Sequence, residues 1–168
     1  MNNDLLLSVI SRWAHIACAI VLVGGTAFTW LVLQPVLQGE NAELIARIRN
    51  RWKKFVHPAI LLFLISGLYN YIKAVPAHKG DGLYHALVGT KMLLALAVFF
   101  LASALVGSMP GTQKFRDSAR KWTGVALLLA TIIVGISGFV KVRPYAAPAA
   151  GSAEAAAEQL PAAVESRR

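Results

Sequence analysis

Between Ile16 and Leu33 the chain runs for 18 residues without a charged side chain. Three comparable runs follow: Pro58 to Ile72, Leu83 to Met109 with Lys91 as its one formal charge, and Trp122 to Val140. About 20 predominantly apolar residues cross a bilayer as a helix, at roughly 1.5 Å of rise per residue. Hydrocarbon offers no partner to an unpaired peptide group, so such runs must be helical. The expected architecture is therefore all-α: an integral membrane antiparallel four-helix bundle. Its helices are placed at about 12–34, 56–75, 83–109 and 121–142, within a membrane domain covering 1–143.

Composition narrows the alternatives. Only 15% of the 168 residues are charged, against about 25% in an ordinary soluble domain. The net charge of +9 does not indicate nucleic acid, because the basic residues sit in short clusters between apolar runs. One cysteine excludes an intrachain disulfide and any multi-cysteine metal site from a single chain. The first apolar run is not expected to be a cleaved signal, since no positive segment precedes it and no small-x-small site follows it. From Pro144 onward, residues 144–168 read as an Ala/Pro-rich disordered tail.

Loop charges orient the bundle. Arg47, Arg49, Arg51, Lys53 and Lys54 lie between the first two helices, and Lys114, Arg116, Arg120 and Lys121 between the last two. Basic loops stay in the cytoplasm. Both termini are thus expected outside the cytoplasm, in a multi-pass protein of the cell inner (plasma) membrane. Trp13, Tyr69, Tyr71, Tyr84 and Tyr145 fall at outer ends, and Trp30, Trp52 and Trp122 at inner ends, as interfacial belts require. The segment Gln38 to Lys54 reads as an amphipathic cytoplasmic helix or, equally, a solvated basic loop.

Polar residues within the spans are where chemistry is to be sought, because ionisable groups there are costly and face the bundle interior. His15, Cys18, Leu22, Gly25 and Thr29 share one face of the first helix by their spacing. In the third helix, His85 lies near the outer end and Lys91 about 9 Å deeper. His15 and His85 are each placed about a turn from the outer interface, at one depth. Two histidines from different helices can supply both axial positions of a haem iron. Gly25, or Gly135 with Gly138, would leave room for a flat ring. Simpler readings stand beside these: interfacial histidines bind headgroups, and glycine stripes pack helices. His57 at a helix start and Cys18 as a small apolar residue are the weaker ligand candidates.

The segment HIACAIVLVGG, with His15 and Gly24–Gly25, resembles the opening helix of the copper resistance protein D family. HPAILLFLISGLYNY, with Pro58 and Gly67, is similar to the second helix of the related HemJ-type protoporphyrinogen oxidases. LVGTKMLLALAVFFLASALVG carries Lys91 where both groups have a third-helix lysine. The resemblance spans about Arg12 to Arg143. It implies haem b and an oxidoreductase activity like that of protoporphyrinogen oxidases, with His15 matching the first-helix histidine. HemJ-type proteins usually hold a histidine very close to that lysine, whereas His85 stands six residues before Lys91.

The functional expectation is a b-type haem-associated redox protein, with His15 and His85 on the iron and Lys91 on a propionate. Its partners would be the lipid bilayer and a membrane redox partner or a second copy of the chain. Two alternatives stay open. One is copper uptake or handling, which would rest mainly on histidine, since only Cys18 and three methionines carry sulfur. The other is an accessory membrane subunit without a cofactor.

Overall fold

A computed structural model describes residues 3–144, and the expected tail, with Tyr145, lies outside them. The described residues form four long helices without strands: α1 (Asn3–Val36), α2 (Ala42–Ala74), α3 (Gly82–Val106) and, after a short α4 (Gln113–Asp117), α5 (Ala119–Val142). Each of the four long helices has the length and apolarity to cross a membrane. Their outer faces carry large apolar side chains, among them Trp13, Ile20, Leu31, Leu93 and Val134. That surface is costly in water and at home in lipid. The protein is a multi-pass membrane protein.

Helices adjacent in sequence pack against each other in turn, and the C-terminal end of α1 returns to the start of α5. There the Trp30 indole donates to the Arg120 carbonyl at 3.0 Å and the Gln34 amide to Thr123 Oγ1 at 3.1 Å. The first and third spans thus face each other across the bundle. Buried positions between α3 and α5 are small, with Ala104, Ala126, Ala130 and Thr123 nearly solvent-free. Small residues let backbones approach where lipid gives no hydrophobic drive to associate.

Two helix starts differ from the expected positions. α1 begins at Asn3 rather than near Arg12. Leu5, Leu6, Leu7, Val9 and Ile10 extend the apolar surface past Arg12, and Asp4 complements the helix N-terminus. α2 starts at Ala42, where the Asn41 side chain accepts the Leu44 N–H at 2.7 Å. It runs through Pro58 without a break, so the basic amphipathic segment and the second span are one rod.

α1 also departs from α-geometry within the bundle. Ile20–Gly24 and Thr29–Leu33 are π-helical turns. Thr26 and Thr29 hydroxyls, lying at and between these turns, donate to the Leu22 and Gly25 carbonyls at 2.6 and 2.7 Å. Threonine hydroxyls inside a helix commonly bond back to the carbonyl four residues earlier in this way.

Candidate functional site

The N-terminal half of α1 and the C-terminal half of α2 are held in register by polar contacts. Lys73 Nζ lies 3.8 Å from Asp4, Ser8 Oγ 3.4 Å from the Tyr69 hydroxyl, and Ser11 Oγ donates to the Ser66 carbonyl at 3.3 Å. Counting inward from Asp4, His15 lies about 16 Å down its helix, and counting inward from Asp81, His85 lies about 6 Å and Lys91 about 15 Å down α3. Lys91 lies within electrostatic reach of His15.

His15 sits in a pocket made by α2. Its Nδ1 is 3.1 Å from Ser66 Oγ, its ring lies 3.9 Å from that of Phe63, and the Phe63 carbonyl is a second acceptor. A Cβ at Gly67 would meet the imidazole Cε1 at 3.1 Å, so this glycine gives the ring its place. Ser66 fixes the tautomer. Its hydroxyl has one proton, engaged with the Leu62 carbonyl at 2.7 Å and the Phe63 carbonyl at 3.1 Å. At the imidazole, Ser66 Oγ must then accept, so Nδ1 carries the hydrogen and Nε2 keeps its lone pair. No side chain among the described residues hydrogen-bonds Nε2. This is the arrangement in which an outer hydrogen bond readies an imidazole nitrogen as a ligand.

Lys91 is half-buried and has neither hydrogen bond nor ion pair among the described residues, yet its charge reaches His15. An ammonium in that position, facing no carboxylate, calls for an anion.

The remaining expected residues lie elsewhere. The His85 ring meets Tyr84 edge-on at 5.4 Å, and no ring contact joins it to His15. Six residues on from His85, Lys91 points about 120° away around the helix. His57 is exposed toward the basic start of α2, bonded back to the Lys53 carbonyl at 3.2 Å. Cys18 is buried one turn inward of His15. Gly25 leaves no space for a cofactor, because a Cβ there would meet the Trp52 indole at 2.2 Å. Gly135 and Gly138 face open space. Among the described residues no group of three or more His, Cys, Asp and Glu side chains comes together.

Two features escape a reading of the sequence alone. At the start of α3, Asp81 accepts the Tyr84 N–H at 2.9 Å and receives the Arg143 guanidinium, and both charged side chains are nearly buried. His78 stacks on Tyr84 at 3.8 Å beside them. Burial pushes the Asp81 carboxyl up, but the Tyr84 N–H and Arg143 outweigh it and hold it below its ordinary range. The N-cap position of Asp81 was the available signal; its partner Arg143 comes from the far end of the domain. The second feature is a cavity of about 560 Å³ in the half of the bundle nearest the basic start of α2, separated from His15 by Phe63.

Comparison with protein-family models, characterised proteins and solved structures finds no match to this chain.

Proposed function

We propose that the protein binds a b-type haem through His15 Nε2, with Lys91 pairing with a propionate, and serves membrane redox chemistry. The observation that carries this reading is the Ser66 acceptor on His15 Nδ1, which favours the Nδ1–H tautomer, with no side chain on Nε2 and Lys91 within electrostatic reach. Bound there, haem would supply an iron that changes oxidation state. The chain's own part is to orient the imidazole through Ser66, to neutralise an acid side group through Lys91, and to exclude water with Phe63 and Phe99, whose rings meet edge-on at 5.4 Å. Such a site calls for an electron-carrying partner in the same membrane. The resemblance in the first and third helices supports the same reading. The nine basic residues of loops 35–55 and 110–121 support an inner (plasma) membrane placement with both termini outside the cytoplasm.

The test is the optical spectrum of the detergent-purified protein, oxidised and reduced. A Soret band and split visible bands are expected, lost in His15→Ala and kept in His57→Ala. In His85→Ala, a conversion from low-spin to high-spin haem would identify His85 as the second axial ligand. A protein without a Soret band that carries stoichiometric copper would overturn the haem reading in favour of copper handling. A protein carrying neither would favour the accessory role.

A further inference from the structure

The cavity near the basic start of α2 is built for an amphipathic anion. Its walls are apolar side chains of all four spans, including Leu22, Val56, Val98 and Ala126, and its volume of about 560 Å³ falls in the range of small-molecule sites. Three arginines line it, Arg49 and Arg51 from the basic start of α2 and Arg116 from α4, and no carboxylate does. Arg116 spends its donors on neutral acceptors, among them the Met109 carbonyl at 2.9 Å and Thr112 Oγ1 at 2.6 Å, so its charge is uncompensated. Arg51 only overlies the Phe55 ring at 5.9 Å.

Two buried polar atoms on the lining residues are unmatched. Arg49 Nε is a donor without an acceptor, and Gln34 Oε1 an acceptor without a donor. Unmatched buried polar groups are rare and need explaining. A ligand satisfying both must present an anionic acceptor and a hydroxyl donor at one end and an apolar chain at the other. These three arginines lie at one end of the bundle, where anionic headgroups meet basic pockets between spans.

The geometry points to a binding site for an anionic phospholipid whose headgroup bears a hydroxyl, one acyl chain lying along the cavity and the phosphate on Arg49 and Arg51, with Arg116 adding its charge nearby. The hydroxyl meets Gln34. Histidine takes no part, so the site is independent of the haem reading.

Trp52, whose indole lines the cavity against Gly25, is the reporter. The full chain in a zwitterionic detergent is titrated with phosphatidylglycerol carrying brominated acyl chains, with brominated phosphatidylcholine of the same chains as control, and tryptophan emission is followed. Phosphatidylglycerol should quench saturably at about a tenfold lower mole fraction, the size of one charge-assisted contact. Trp52→Phe should remove most of the quenchable emission. Arg49→Gln should bring phosphatidylglycerol to the level of phosphatidylcholine, and Arg49→Lys should keep part of the preference. Equal quenching by the two lipids would overturn the proposal, as would a preference that survives Arg49→Gln. Displacement of phosphatidylglycerol by oleate at equal mole fraction would also overturn it, by making the site one for free carboxylates. The headgroup comparison uses the unaltered protein and stands even if a variant fails to fold.

Discussion

Gly24 and Gly25 are adjacent in sequence and opposite in consequence. A Cβ built on Gly24 meets nothing within 4 Å, whereas one on Gly25 lies 2.2 Å from the end of the Trp52 indole and 2.5 Å from its Cζ2. In Gly25→Ala the ring must retreat by more than an ångström to reach ordinary contact. Overpacking of this kind costs about 1–3 kcal/mol, offset by about 1 kcal/mol for replacing a helical glycine with alanine. Net destabilisation of about 1 kcal/mol is expected for Gly25→Ala, and a gain of up to about 1 kcal/mol for Gly24→Ala. The two neighbours should therefore differ by about 2 kcal/mol in unfolding measured in one detergent. Trp52→Leu should remove the difference, because the clashing atoms are gone. Equal stability of the two variants within about 0.5 kcal/mol, the usual scatter of harmless substitutions, would refute the packing of α1 against the basic end of α2.

Asp81 gives a pH prediction. Its carboxyl is held below its ordinary range in the folded protein, so its contribution is present above the unfolded value of about 3.9 and is lost as pH falls through the lower folded value. Thermal unfolding of the wild type should show this extra acid sensitivity below about pH 4, and Asp81→Asn should lack it. Ser66→Ala removes the acceptor that sets the His15 tautomer; haem titration should show roughly 10–100-fold weaker binding, as losses of outer hydrogen bonds to ligand histidines do. Lys91→Met should leave the melting temperature unchanged or raised, since a lysine at mid-helix costs roughly 2.5–3.5 kcal/mol on insertion scales, while haem retention falls; a lower melting temperature would mean that Lys91 is paired in the apoprotein. A cysteine introduced at Gln113 should resist an impermeant thiol reagent in intact cells, as a cytoplasmic loop must.

The four spans were legible because apolar length is a one-dimensional property, and lipid forces it into helix wherever it occurs. Charge hid the rest. Arg12 closed the apolar run too early, yet one exposed cation does not stop a helix whose preceding residues are Leu5 to Ile10. That offset puts His15 about 2.5 turns further from its helix start than expected. His15 and Lys91 were legible as buried ionisable residues, but their proximity depends on the contacts of Asp4, Ser8 and Ser11 with α2, which no spacing within one helix encodes. The Asp81–Arg143 pair joins residues 62 apart, and the cavity gathers α1, α2, α3, α4 and α5. Only tertiary packing creates either.

The two π turns of α1 make its halves unequal in their tolerance of insertion and deletion. A π turn holds one residue more than the regular helix needs and absorbs it locally. Removing a single residue from Ile20–Gly24 or Thr29–Leu33 restores ordinary winding and leaves the flanking faces nearly where they were. The same deletion between Asn3 and Ala14 has no such slack, and turns the preceding segment by about 100° relative to His15. Ser8 and Ser11 would swing off α2, and His15 would lose the register that sets its depth. Length variation in this helix is therefore expected in the C-terminal half, with the number of residues from Asp4 to His15 held constant.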